Sequence, residues 1–445
     1  METKEVTFVL FGGTGDLTKR KLVPAIARLV HDKIISENSI IIGISRKELS
    51  DEKYKKFLVD SVKNGNDKNY IGNLDIKFFT GDFTKNGLEG LSKLMSKCEM
   101  EGCNRVYYLS TGFKFFQNIV EELKRQGLEK VKKGFTRIVF EKPFGSDLAS
   151  SEKLDKEIHK FFSEENVFRL DHYLAKETVQ NLNILKFSNP LFYSSLSNKF
   201  IDFIEIIVDE ELGVGDRIEF YNDAGAIKDM VQNHLLQILS LLLMEKPKKL
   251  TAENIHNEKV KILNNLELLP FDNHLLGQYR SYAKEAEKAG LNFKKIETFC
   301  KLVLNCRTKR WDGVKLILRT GKKLRRKYGQ IIINYKDIDK SIPSNKIIID
   351  IYPKQDVIIK MNSINPFEKG NVKDVKFEFC RDCEFGPNSP DEYSTLLGEI
   401  IKGEKMMFTR SDEVRESWKI VEKIENIRDK IKFVIYPDGG EPEND

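Results

Sequence analysis

Hydrophobic and polar positions fall into two rhythms along this chain. Over roughly the first 165 residues, short apolar runs alternate with stretches of helical spacing. Val6–Phe11, Ser39–Ser45, Asp75–Thr80, Val106–Ser110 and Arg137–Phe140 read as buried strands, and Leu22–Val30 carries apolar residues at helical intervals. Strands alternating with helices predict a parallel, doubly wound sheet with right-handed crossovers. Beyond about residue 180 the rhythm changes. Phe200–Asp209 reads as a long strand and Ala224–Met244 as a helix of about six turns. Phe299–Asn305, Val314–Arg319, Gln330–Tyr335, Ile347–Tyr352, Val357–Met361 and Val375–Phe379 then follow as strands with few helices between them. That succession predicts a large mixed or antiparallel sheet. Residues 391–402 and 412–428 read as helices, the second with Ser411 or Asp412 as N-cap. The polar tail YPDGGEPEND predicts a frayed end. The fold expected is α/β plus α+β: a Rossmann-like dinucleotide-binding domain over residues 1–175 and a larger domain over 176–445.

Composition narrows the function classes. At 445 residues the chain exceeds one small core. Its 40% hydrophobic and 32% charged residues describe a soluble globular protein. The net charge of +6, from 74 basic and 68 acidic residues, is a mild excess. No basic run is interleaved with aromatics, so nucleic acid is not an expected partner. No apolar run reaches the roughly 18–20 residues of a spanning helix, so no membrane is expected either. METKEVTFVLFGG enters a strand without a secretory-leader pattern, which predicts a cytoplasmic enzyme. Of six cysteines, only Cys380-Arg-Asp-Cys383 has metal-like spacing, and it has no second pair. Reduced thiols and no metal are the expectation.

Four motifs and one cluster carry chemistry. Gly12-Gly13-Thr14-Gly15-Asp16-Leu17 follows the first strand and opens a helix. Such a turn aims backbone N–H groups and a helix N-terminus at a pyrophosphate, although its spacing is not G-x-G-x-x-G. The second strand ends in Ser45-Arg46-Lys47 with no acidic residue. An Arg there suits a ribose 2′-phosphate, which favours NADP over NAD. Lys142, in Glu141-Lys142-Pro143, stands at the carboxyl end of another strand, where cofactor and substrate meet. His234 lies on a helical stripe with Met230, Ile238 and Leu241, among the polar Asp229, Gln232, Asn233 and Gln237. A hydroxyl that gives up hydride needs a base for its proton, and imidazole with an orienting carboxylate serves near neutral pH. The cluster is VFRLDHYLAKETVQN, which places Asp171, His172, Tyr173 and Lys176 within six positions after a strand. If helical, His172 and Lys176 share a face. Such a set suits an anionic substrate such as a sugar phosphate.

Taken together, GGTGDLTKRKLVPA, FEKPFGSDLASS, RLDHYLAKETVQNL, AIKDMVQNHLLQILSLLLMEKP, RWDGVKLILRTGKKL and MMFTRSDEVRESW resemble the motifs of the glucose-6-phosphate dehydrogenase family, in its order and over nearly the whole chain. The resemblance implies oxidation of D-glucose 6-phosphate at C1 to 6-phospho-D-glucono-1,5-lactone, entering the pentose phosphate pathway, with NADP as acceptor and NAD as the alternative. It implies His234 as general base and Asp171 as the carboxylate that orients it. It implies Lys142, His172, Tyr173, Lys176, Glu210, Asp229 and Lys322 as substrate contacts, with His172, Tyr173 and Lys176 on the phosphate. Gly12, Gly13, Thr14, Gly15, Asp16, Leu17, Arg46 and Lys142 are implied as cofactor contacts, and a homodimer or homotetramer as the assembly. The chain departs from the family pattern at Leu109-Ser-Thr-Gly-Phe, where the family has a segment like LALPP. Lys327 stands where many members have Arg, and Tyr352 where an amide is common. Two rival readings are a related sugar oxidoreductase acting on another sugar, and a non-catalytic nucleotide-binding homologue.

Overall fold

The structure, a computed structural model, describes residues 3–63, 65–98, 103–292, 295–367, 371–386 and 391–442. The chain divides into two compact units, one of Met1–Ala175 with Pro390–Ser411 and one of Lys176–Ser389 with Asp412–Asp445.

The first unit is built on a seven-stranded sheet. From one edge its strands are Phe408–Thr409, Val167–Leu170, Thr136–Phe140, Asn104–Leu109, Val6–Phe11, Ile40–Ser45 and Asp75–Thr80. All pairs are parallel except that of Phe408–Thr409 with Val167–Leu170. Every residue of Val6–Phe11 and Ile40–Ser45 is buried, which explains their unbroken apolar runs. Strand order reverses beside Val6–Phe11, and ligands of doubly wound sheets bind at that switch point.

Residues 390–411, which sequence periodicity groups with 176–445, lie in the first unit. Helix Glu392–Lys402 buries Leu396, Leu397, Ile400 and Ile401 in the same core as Ala25, Ile26 and Leu29. Arg137 Nη1 donates to Ile400 O at 2.5 Å and Lys4 Nζ to Ile401 O at 3.2 Å. Hydrophobic pattern identifies this helix but not the partner it covers.

The second unit carries a ten-stranded mixed sheet. Its path runs Val372–Phe379, Val357–Ile364, Lys346–Tyr352, Tyr328–Tyr335, Ile201–Asp209, Lys315–Gly321, Phe299–Cys306, Leu275–Tyr279 and Lys432–Tyr436, with Leu266–Leu268 paired to Phe299–Cys306. Ile201–Asp209 pairs parallel to Lys315–Gly321, and Leu275–Tyr279 parallel to Lys432–Tyr436. The tail is therefore not frayed through residue 442. Tyr436 is fully buried and its hydroxyl donates to Lys322 O at 2.7 Å, while Gly439 N donates to Lys323 O at 2.8 Å. The polar tail is held by backbone groups of the sheet, which a hydropathy pattern does not display. The thiols also depart from expectation, because Cys380 and Cys383 are joined in a disulfide. Among the described residues, no helix is long and apolar enough to cross a membrane.

Candidate active site

In the first unit the glycine turn leaves the central strand where the backbone is most crowded. Gly12 has φ +85°, and a Cβ there would come within 2.4 Å of Ser110 O. A Cβ on Gly13 would meet Gly43 Cα at 2.8 Å. Behind the turn, the Tyr54 hydroxyl donates to Gly13 O at 3.0 Å. The Ser110 hydroxyl donates to Phe11 O at 2.6 Å. Thus the unusual segment after Leu109 braces the turn, and Tyr54, which carries no motif, fills the space beneath it. Thr14 and Gly15 are half-buried, and Leu17 packs against the core. Asp16 is exposed and paired with Arg20 at 2.6 Å. Arg46 is exposed at the end of Ile40–Ser45. A glycine turn without room for Cβ atoms, at the switch point and opening a helix, fits a dinucleotide.

At the ends of the next strands, the Lys142–Pro143 peptide is cis. Burial pushes the Glu141 carboxyl up to about 7, against the phenols of Tyr108 and Tyr393 that hydrogen-bond to it. Tyr108 donates at 2.5 Å. Asp171 is 1% exposed, and its Oδ1 accepts from Tyr173 N at 3.0 Å. The rings of His172 and Tyr173 lie 4.9 Å apart. Residues 171–175 are not helical. Leu174 N bonds back to Asp171 O at 3.0 Å and Ala175 N to His172 O at 3.3 Å, so the segment is a chain of turns. Helix Glu177–Phe187 starts only after Lys176, so His172 and Lys176 do not share a helical face. The Asp171 carboxylate competes for a nearby backbone donor, which favours a turn over a helix.

In the second unit His234 is fully buried on a helix fixed at three levels. The helix begins at a kink where Gly225 takes φ +63°. A Cβ there would lie 2.1 Å from Glu297 Oε1, and that oxygen accepts from Ile227 N at 3.2 Å. Glu297 is a buried carboxylate at a helix N-terminus, paired with Arg428. Midway, Gln237 Oε1 accepts from Lys259 Nζ at 2.5 Å. Lys259 reaches Glu413 at 3.0 Å and His256 reaches it at 2.7 Å. At the end, Lys186 Nζ donates to Leu242 O and Met244 O, and Trp311 Nε1 to Leu243 O at 2.7 Å. Between kink and midpoint, Ile227–Leu235 is wound as a π-helix. Such wide turns gather at functional sites. This winding replaces the regular stripe that the sequence predicts for Met230 and His234, and it carries Asp229, Gln232, Asn233 and His234.

Beside that helix, Lys322 Nζ sits 2.7 Å from Glu210 and 3.7 Å from Asp229. Arg217 also meets Asp229, at 3.1 Å. Two carboxylates, one of them 2% exposed, are thus held with a lysine at the carboxyl ends of paired parallel strands. Lys176 Nζ lies 5.3 Å from the centre of the Tyr352 ring and Lys327 Nζ 5.8 Å from it. The two departures from the family pattern, Lys327 and Tyr352, therefore meet each other, and Lys176 and Lys327 reach the same Tyr352 ring. Sequence spacing held no sign of that meeting, because three elements supply it.

Residues 9–181 match the glucose-6-phosphate dehydrogenase NAD binding domain, and residues 183–444 match the glucose-6-phosphate dehydrogenase C-terminal domain. The chain belongs to the glucose-6-phosphate dehydrogenase family. Glucose-6-phosphate 1-dehydrogenase of Borreliella burgdorferi is 35% identical over 97% of this chain and 94% of its own length. The Bacillus subtilis protein of that name is 33% identical over 94% of this chain and 91% of its own. A solved glucose-6-phosphate dehydrogenase in complex with its substrate glucose-6-phosphate superposes with a TM-score of 0.90, at 27% identity, covering 100% of this chain and 97% of that one. Within the family, this member keeps both the Rossmann-like unit and the large mixed sheet.

Proposed function

We propose that this protein oxidises D-glucose 6-phosphate at C1 to 6-phospho-D-glucono-1,5-lactone, the first step of the oxidative pentose phosphate pathway, as a cytoplasmic NADP-dependent enzyme. The observation that carries the reading is the buried His234 on π-type turns that also hold Asp229, which Lys322 links to Glu210. His234 takes the proton of the C1 hydroxyl, and Asp171 orients the imidazole. Glu210 and Asp229 accept hydrogen bonds from sugar hydroxyls, and Lys322 offsets their charge. Lys176, His172 and Tyr173 take the phosphate, with Lys327 adding charge at Tyr352. Lys142 bridges substrate and cofactor. NADP, held at Gly12–Leu17 with Arg46 on its 2′-phosphate, supplies the hydride acceptor when bound.

Initial rates with glucose 6-phosphate and with glucose, each with NADP and NAD, test the reading. Turnover should require the phosphate and favour NADP; a faster rate on unphosphorylated glucose would favour another sugar oxidoreductase. Lys176→Ala should raise KM for the sugar phosphate by about tenfold or more with little change in kcat. It removes a charge-assisted contact to a group remote from the reacting carbon. An unchanged KM would remove Lys176 from the phosphate site.

Assembly through the large sheet is part of the proposal. Val357–Ile364 and Val372–Phe379 expose Met361, Val375, Phe377 and Phe379 on one side of the sheet, an apolar face suited to a second copy of the chain. Light scattering should give a dimer or tetramer, and a monomer at micromolar concentration would contradict it.

A further inference from the structure

The Cys380–Cys383 disulfide stands where strand Val372–Phe379 ends and the short helix Arg381–Phe385 begins. Cys383 is exposed and Cys380 half-buried, so an attacking thiolate reaches the bond. Arg381, enclosed between the two cysteines, is only 6% exposed. Its guanidinium grips Glu177 twice, through Nε at 3.2 Å and Nη2 at 2.8 Å, and its Nη1 donates to Gly386 O. Its backbone N donates to Asp356 Oδ1 at 3.1 Å. Glu177 borders Lys176 directly, and Asp356 leads to it through the turn that carries Tyr352. Glu177 is the next residue and the first of its helix. Asp356 O accepts from Asp350 N at 2.8 Å, across the turn that carries Tyr352, over whose ring Lys176 lies. A forked guanidinium–carboxylate pair depends on direction, so any rotation of Arg381 weakens both bonds to Glu177.

We propose that Cys380–Cys383 is a thiol–disulfide site that sets affinity for the sugar phosphate. It rests on the reading of Lys176 as a phosphate ligand. In the disulfide form, the closed turn holds Arg381 on Glu177 and Asp356, and these hold Lys176 against Tyr352. The reductant is a dithiol, either a small molecule or a dithiol protein. One of its thiolates attacks Cys383 Sγ, the S–S bond breaks, and Cys380 leaves as a thiolate that takes a proton. The second thiol of the reductant then resolves the mixed disulfide. The products are two cysteine thiols and an oxidised dithiol, a two-electron, two-proton exchange. Disulfides in reducing compartments are characteristically of this reversible kind.

The test equilibrates full-length protein with oxidised glutathione or with dithiothreitol, counts free thiols by alkylation and mass, and measures kcat and KM for glucose 6-phosphate in each form. The disulfide form should show a KM about fivefold or more below that of the dithiol form, with kcat unchanged. Cys380→Ser/Cys383→Ser should show the higher KM under both conditions. Glu177→Gln should form the disulfide, keep the higher KM and lose the response. Three results would overturn the inference: no Cys380–Cys383 disulfide in oxidised glutathione, one KM for both forms, or a redox response that survives in the double serine variant. Absence of turnover in both forms overturns the substrate reading and this inference with it. Turnover with a redox-independent KM overturns this inference alone.

Discussion

His234→Ala should lower kcat by about a hundredfold to ten-thousandfold while leaving the KM for glucose 6-phosphate nearly unchanged. His234 is 0% exposed, and the substitution removes the proposed proton acceptor from that buried position. In the proposed site, sugar and phosphate are held by Glu210, Asp229, Lys176 and their neighbours, which the substitution leaves in place. The loss therefore belongs to the transition state, where the proton moves, and falls on kcat. A thermal melt of the variant separates this from unfolding, because the helix remains fixed by Glu297, Gln237 and Lys186. A variant that turns over at the parent rate would remove His234 from the role of base. Under the proposed roles, Asp171→Asn should lower kcat by less than His234→Ala, because an amide carries no charge to stabilise a protonated imidazole.

Lys259→Met should be the most destabilising single change behind the site, by about 3–5 kcal/mol. Lys259, Glu413, His256 and Gln237 are all at most 3% exposed and bonded to one another. Without the ammonium, Glu413 keeps a buried charge with one partner fewer, and Gln237 loses its donor. That cost is a large share of the roughly 5–15 kcal/mol by which domains are stable. Burial alone would raise the Glu413 carboxyl, but Lys259 and His256 hold it down at about 2. An unfolded glutamate titrates at about 4.3. The network's contribution is therefore complete above that value and is lost as pH falls toward 2. In Lys259→Met the acid loss should begin at higher pH. Urea midpoints at neutral pH and near pH 4 measure both effects, and an unshifted neutral midpoint would contradict this account of the network.

Much of the architecture was legible in the sequence because buried parallel strands leave unbroken apolar runs. Val6–Phe11 is bounded and fully buried as the pattern predicts, and Asp75–Thr80 is bounded as predicted although, as the edge strand, it buries only Ile76 and Phe78. The doubly wound order followed from the alternation of strands and helices. Features made by competition between neighbours were not legible. The turn at 171–175 depends on one carboxylate capturing Tyr173 N. The π-type turns at 227–235 lie in a helix buried almost all round, where the stripe of Met230 and His234 reads the same as it would on a regular helix. Glu297, Lys259 and Glu413 are charged residues that a hydropathy pattern assigns to the surface, yet each is nearly inaccessible. Their burial shows only once distant segments are brought together, as does the meeting of Lys176, Lys327 and Tyr352. The spacing of Cys380 and Cys383 was visible, whereas their bond was not.

The most direct measurement follows the hydride itself. Glucose 6-phosphate carrying deuterium at C1 is turned over with NADP, and the reduced cofactor and sugar product are analysed by mass. The account predicts one deuterium in the reduced nicotinamide and none at C1 of the product, which is the 6-phosphogluconolactone or its hydrolysed acid. Deuterium retained at C1, with oxidation elsewhere on the sugar or none at all, would contradict it.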